Sequence, residues 1–488
     1  MVCDSGSYAL AGILSFNGSW HRRHRLAMCR SPMQSSPSIL RHRSLQILLL
    51  LVFISSLKAR CLAGEPAHWP QWRGQDGEGI SLLKDLPGEW KPDKNIQWKT
   101  NLAGRGHSSP IVWGNRIFVT TAVQGAELPQ PTAVKHMINK EEFKHPDWVG
   151  SDRRYTMKLL CLDGDSGKIL WEADAYEGTV FDHRHRKSSY ASPTPVADGD
   201  KVYVYFGSEG VYAYSFNGNL IWKSSLGGIR TVGMGVGTSP VLFDNLLIVQ
   251  VDENEGEKSF LVALSKIDGH EVWRTPRKVQ VSWSTPLIVH TEIRPELITS
   301  GSEFIVSYNP ATGMEYWHCN GLESNAVPSP VAGKDIVVLS AGFPEKRVKA
   351  IRLGGSGDIT GTASILWEYN KGTAYVASPI VYGDYVYLIS DKGILTCLDL
   401  KTGRVMYDNG RVPIPATFMS SPVAFDDKIL LTSEEGDTFV VKAGPSHQML
   451  QTNSIGEPVF ASLALASSKI FIRGEKNLYC IGKMQVTP

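Results

Sequence analysis

The chain repeats itself, and the repeat restricts the folds open to it more than any other property. Its cleanest copy runs from Ala377 to Tyr407, ASPIVYGDYVYLISDKGILTCLDLKTGRVMY. A small-Ser-Pro start leads into an alternating run from Val381 to Tyr387. An Asp-Lys-Gly turn follows, and a second apolar run ends at Cys397-Leu398-Asp399. A Lys-Thr-Gly turn then introduces a third run that closes on an aromatic, Tyr407. Apolar alternation of period two, broken by glycine-containing turns, predicts a meander of antiparallel strands.

Ser/Thr-Pro starts recur at Pro110, Pro193, Pro240, Pro286, Pro330, Pro379 and Pro422, with Ser462-Leu463 as a degenerate eighth. Their spacings are 83, 47, 46, 44, 49, 43 and 41 residues, and the first falls to 49 once an insertion at 123–156 is set aside. A multi-stranded unit of about 40–50 residues predicts a propeller blade, not a solenoid or a sandwich. The closing aromatics Trp171, Trp222, Trp273, Trp317, Trp367 and Tyr407, with Leu450 in a weaker seventh place, keep the same count. The eighth repeat, Phe460 to Ile481, stops before its last strand, while Trp98 sits on an orphan strand at 95–102. Pairing that strand with the last blade would close the ring and remove both free sheet edges. The expected fold is all-β: an eight-bladed propeller over 95–482, closed by an N-terminal strand. A Trp-rich extension (64–94) precedes it and a short tail (483–488) follows.

The small-Ser-Pro start, the "YALD"-type third strand, the Thr-Gly turn and the closing Trp together resemble the PQQ-like (pyrrolo-quinoline quinone-like) repeat. That repeat occurs in quinoprotein alcohol dehydrogenases and in BamB, the propeller subunit of outer-membrane protein assembly. The segments HWPQWRG, GRGHSSPIVWGNRIFV and HRHRKSSYASPTPVADGDKVYVYFG resemble exported PQQ-like repeat proteins of unassigned activity more closely than either named class. For the dehydrogenases the resemblance implies adjacent cysteines, a catalytic Asp, a calcium held by Glu, Asn and Asp, and a Trp stacked on the quinone. No Cys-Cys pair exists here. Cys161, Cys397 and Cys480 share the repeat position held elsewhere by Ala213 and Ala263, where a small buried group suits packing. With Cys319 they fall in separate blades, too far apart for disulfides.

Residues 1–63 carry eight Lys/Arg against one acid, Asp4, and without them 42 basic and 47 acidic residues remain. That mildly acidic body argues against a nucleic-acid binder, which would need a basic stripe. Ile47 to Ser55 (ILLLLVFIS) follows Arg41-His42-Arg43 and precedes small residues near Ala63 and Gly64. A basic segment, an apolar run too short to span a bilayer and a small-residue site predict a secretory signal peptide over 1–63. A membrane anchor is the competing reading. A start at Met33 or Met28 would give this leader an ordinary length. Arg60 directly before Cys61 argues against lipidation there. The expected product is periplasmic or extracellular, with no membrane span once the signal is removed.

Candidate sites lie where repeats depart from the template. Trp69, Trp72 and Arg73 are either a plug over one end of the core or part of a partner-binding face. His183-Arg184-His185-Arg186-Lys187 reads as an anion- or partner-facing loop, or as a solvated basic loop; its cations oppose a bound metal. The residue three before each start is His107, Tyr190, Gly237, Trp283, Val327, Val376, Met419 or Phe460. Blades are radial, so these eight should ring the channel mouth. His107, Tyr190, Trp283, Met419 and Phe460 would then form a ligand or peptide platform, unless they only pack blades together. Asp163-Gly164-Asp165-Ser166-Gly167 is calcium-like in spacing but falls where other blades place a turn. The acidic run Asp252 to Glu257 is the better divalent-ion candidate of the two, but without periodic oxygen-ligand spacing it reads first as a solvated hairpin tip. The expected function is a non-catalytic exported scaffold for a protein or cell-surface partner, with no catalytic residues, metal or cofactor. The alternative is a periplasmic quinone-dependent oxidoreductase, alcohol or sugar dehydrogenase-like, holding PQQ with calcium in the channel.

Overall fold

The computed structural model describes residues 68–483 apart from 85, 139–140 and 255–257. The leader, both alternative starts, the cleavage site and nearly all of the tail lie outside the described residues. Eight sheets, each built on four antiparallel strands, follow one another and form an eight-bladed β-propeller. Blade 6 shows the template: Ile380–Tyr382, Tyr385–Ile389, Ile394–Asp399 and Val405–Arg411 pair in chain order from the channel outward. Blade 8 takes Ala464–Ala466, Lys469–Arg473 and Asn477–Ile481 from the C-terminal end. Its fourth strand is Ile96–Asn101, with Trp98 opposite Cys480. The ring closes as the sequence predicts. Among the described residues no helix is long and apolar enough to cross a membrane.

Two features explain why the repeat carries the residues it does. The first joins the closing Trp to the Thr-Gly turn of the next blade. Trp98 Nε1 donates to the carbonyl of Gly164 (3.1 Å), Trp171 to Phe216 (3.0 Å), Trp222 to Lys266 (3.2 Å) and Trp367 to Leu400 (2.9 Å). The turn glycine lies under the same ring, at φ +71° for Gly167 and +75° for Gly269. A Cβ there would come within 2.5 Å of the indole, so both the backbone and the contact demand glycine. Blade 4 departs from this pattern. Trp317 Nε1 donates to the buried carboxylate of Glu296 (2.8 Å), and Gly357–Asp358 adds a parallel fifth strand beside it.

The second feature encircles the channel. The backbone N–H of Ser109 donates to the Thr194 hydroxyl, Thr194 to Ser239, Ser239 to Thr285 and Thr285 to Ser329, at 2.9–3.0 Å. Ser329 continues to Ser378, Ser378 to Ser421, Ser421 to Ser462 and Ser462 back to Ser109, again at 2.9–3.0 Å. Each residue before the start proline therefore binds its counterpart in the next blade, and the circuit closes. It also corrects the phase of blade 2. The stretch Ser192-Pro193-Thr194-Pro195 offers two starts, and only Thr194 places its hydroxyl in the ring. The inner strand Val196–Ala197 begins after Pro195, so the start is Pro195 and not Pro193.

The cysteines pack as the repeat register predicts. Cys161 faces Trp171, Cys397 faces Tyr407 and Cys480 faces Trp98, where Ala213 and Ala263 face Trp222 and Trp273. All four described cysteines are buried and free, and burial pushes the Cys161, Cys397 and Cys480 thiols up to about 12. The Asp163 carboxylate accepts the Ser166 N–H (2.8 Å) and hydroxyl (2.7 Å), which makes this segment a capped turn. The acidic run at 252 behaves otherwise than expected. Asp252 is fully buried in an ion pair with Arg277 (2.8 Å) and accepts bonds from Gln250 and Ser282, and Glu253 is buried beside it. Only a fixed cation and hydroxyl partners allow a carboxylate at that depth, so the start of this run is core.

Candidate functional site

The N-terminal extension crosses the innermost strands and shapes the channel. His68–Trp69 pairs with Trp113 and Val112 of blade 1. The Pro70 carbonyl accepts from Ala197 N of blade 2, and Gly79 and Ser81 bracket Ala424 of blade 7. Between these contacts Trp72 faces a central cavity of about 460 Å³. Trp72 is its floor, the eight hydroxyls form a belt around its wall, and His185, Lys187 and Tyr375 border its mouth. Such a volume suits a small ligand.

The platform residues divide. His107, Trp283, Met419 and Phe460 line the cavity, as do Gly237, Val327 and Val376. His107 stacks on Phe460 (centroids 4.6 Å, 18° between planes), and Trp283 Nε1 donates to the Gly235 carbonyl at 2.7 Å. Tyr190 does not line the cavity. Its hydroxyl donates to the Asp182 carbonyl (2.9 Å), its ring edge meets Tyr155, and the Arg184 guanidinium lies 5.6 Å from its centroid. The shifted phase of blade 2 is the reason: Ser192 occupies that ring position and lines the cavity.

The basic loop divides too. Arg184 is buried, and its Nη1 donates to the carbonyls of Ser188 (2.9 Å) and His185 (3.2 Å), so it shapes the loop and faces no partner. His183 stacks on Trp148 (4.9 Å, 13°) and bonds Ser151 Oγ through Nδ1 (2.9 Å), away from the cavity. Arg186 stays exposed and pairs with Asp147 of the insertion at 2.8 Å, and His185 reaches the same carboxylate at 3.3 Å. Lys187 leans over the mouth to Glu434 of blade 7 (2.9 Å). In the extension, Trp69 and Arg73 are buried at 2% and 1% exposure and cannot form an exposed face. Arg73 Nη2 donates to the Glu78 carbonyl (2.8 Å), and burial lowers this guanidinium to about 9. Of this trio only Trp72 is available to a ligand.

Electrostatics favour positive potential at the blade 8–1–2 side. Desolvation first, then the Arg105, Arg473 and Arg184 guanidiniums, hold His107 well below the ordinary imidazole range. Sequence reasoning missed Arg105, Arg473 and the hydroxyl belt. The signal for the belt is the Ser/Thr before each start proline, which also marks the beginning of a strand.

A family model described as outer membrane protein assembly factor BamB matches residues 156–409, just over half of the chain. The chain belongs to the PQQ-like/BamB β-propeller family. Outer membrane protein assembly factor BamB of Yersinia pestis is 23% identical over 278 residues, covering 54% of this chain and 55% of that protein. Its namesake in Moranella endobia (strain PCIT) is 26% identical over 252 residues, covering 51% and 52%. The chain thus spans about half the length of these relatives. Quinohemoprotein alcohol dehydrogenase from Comamonas testosteroni superposes with a TM-score of 0.58 at 11% identity, over 88% of this chain and 82% of that one, which shows a shared fold. The calcium-quinone group of the family's dehydrogenases needs carboxylate and amide oxygens. No Asp, Glu, Asn or Gln lines this cavity, so the residues present do not fit that group.

Proposed function

We propose that this protein is an exported, non-catalytic scaffold that binds a protein or cell-surface partner through the channel mouth and its surrounding loops. One observation carries the reading: the insertion, the basic loop and the ring positions before the strand starts converge on one end of the propeller. The insertion and the 183–187 loop are tied through Asp147, and Lys187 brings that loop over the ring formed by His107, Trp283, Met419 and Phe460. Membership of the family, and relatives named for outer membrane protein assembly, support a protein partner at the cell envelope. Aromatic anchors ringed by polar groups are the composition of binding hot spots.

Capture from native envelope extract tests this reading. The mature protein and an Ile267→Glu variant, altered at an exposed turn residue outside the mouth, should retain the same partner. Trp283→Ala and Lys187→Glu should lose it while melting within a few degrees of the parent. Equal capture by all four proteins would sink the reading.

A further inference from the structure

The hydroxyl belt has donors left over. Each of its eight hydroxyls accepts one backbone N–H, and among the described residues none donates to a protein acceptor. A hydroxyl keeps one O–H to give, and accepting an N–H polarises it into a better donor. These groups line a cavity whose wall carries no carboxylate. Three guanidiniums stand behind the wall without lining it, and their hydrogen bonds go to carbonyls, a hydroxyl and the His107 ring (Arg105 Nε to Nε2, 3.5 Å). Arg105 donates to the Arg186 carbonyl (2.9 Å), Arg184 to the Ser188 carbonyl (2.9 Å) and Arg473 to the Ser108 hydroxyl (2.6 Å). Arg473 is 3% exposed and its Nε has no partner. Donors in excess, three guanidiniums outside any ion pair among the described residues and a lining without acids select an anion, although Lys187 and His185 at the mouth are paired with Glu434 and Asp147. The rest of the wall is apolar: Trp72, Trp283, Phe460 and Met419. An inorganic ion would leave those surfaces facing water, whereas an amphiphilic one covers them.

We propose that this cavity binds a small organic carboxylate with an apolar body, its acid group on the hydroxyl belt and its body against Trp72, Trp283, Phe460 and Met419. The site shares Trp283, Met419 and Phe460 with the proposed partner platform, but its test needs no partner, so failure of either reading is seen apart from the other.

Saturation-transfer NMR on the mature protein supplies the test, with phenylacetate, hexanoate and indole-3-acetate as probes beside their primary amides. At least one acid should bind saturably, and its amide about tenfold or more weakly. Thr285→Val, which removes one belt hydroxyl at constant shape, should weaken the acid several-fold, and Thr285→Ser should restore it. Should Thr285→Val fail to fold, Ser378→Ala replaces it in the belt, again with a several-fold loss for the acid and none for the amide. No saturation by any acid up to about 10 mM would overturn the proposal, since that is weaker than a millimolar site. Equal binding of acid and amide, or undiminished acid binding by the folded variant, would overturn it as well.

Discussion

Blade 6 and the junction of blades 1 and 2 begin from one template and treat polar groups in opposite ways. In blade 6 the polar groups are settled within a turn or against an adjacent blade: the Asp399 carboxylate accepts the Thr402 N–H (2.9 Å) and hydroxyl (2.7 Å) in its own turn, and the Tyr387 hydroxyl accepts the Gly444 N–H of blade 7 (2.7 Å). At the junction they reach across elements. Lys187 spans to Glu434 of blade 7, Arg186 and His185 share Asp147 of the insertion, and Arg105 holds the Arg186 carbonyl. A blade that satisfies itself needs only its two neighbours, so the ring tolerates one irregular sector. The irregular sector concentrates charge at the mouth. Regularity here marks scaffold, and departure from it marks the candidate site.

The contrast can be broken from the scaffold side first. Gly403→Val puts a branched side chain at φ +68° and within 2.7 Å of the Trp367 ring. It should cost about 3–5 kcal/mol, from strain and overpacking together, read as a lower urea midpoint at constant m-value. Ser378→Ala removes the hydroxyl that accepts the Ser329 N–H. A buried donor left without a partner costs about 1–3 kcal/mol, so the midpoint should fall by less than for Gly403→Val.

The junction should answer to pH instead. His107 is held below its ordinary value in the fold, so below about pH 6.5 the unfolded chain takes up a proton that the folded protein refuses. Stability therefore falls with acidification from that point down to the depressed folded pKa, by at most about 1.4 kcal/mol per pH unit for this residue. His107→Gln should flatten that part of the stability profile and leave stability near pH 8 nearly unchanged in its pH slope. An unaltered acid slope would show that the cavity does not desolvate this ring. Smallest of all, Lys187→Met should change the midpoint by no more than about 1 kcal/mol, since its ion pair is partly exposed. A larger loss would mean that the loop over the mouth is part of the scaffold.

Much of this was legible along the chain. The blade number and the closing role of strand Ile96–Asn101 follow from spacing, because each blade is one local meander with its own apolar period. The cysteine positions follow from the same register. Four of the five proposed platform residues, His107, Trp283, Met419 and Phe460, do line the cavity. Tyr190 does not, because two Ser/Thr-Pro pairs stand two residues apart and local pattern cannot rank them.

What the sequence determined by itself is the repeating unit, its count and the way the ring closes, since all three rest on contacts within a blade or on a missing strand. The tertiary structure decided the rest: the phase of blade 2, the inward turn of Arg184 and Asp252, and the floor that Trp72 gives the channel. The phase of blade 2, the burial of Asp252 and the channel floor depend on partners far away in sequence, Ser239 for Thr194, Arg277 for Asp252 and Ala197 for Pro70, whereas Arg184 is turned inward by carbonyls of its own loop. A hydroxyl, a guanidinium or an indole reads alike in either setting. Only the assembled ring shows which of them it buries and which it leaves facing the channel.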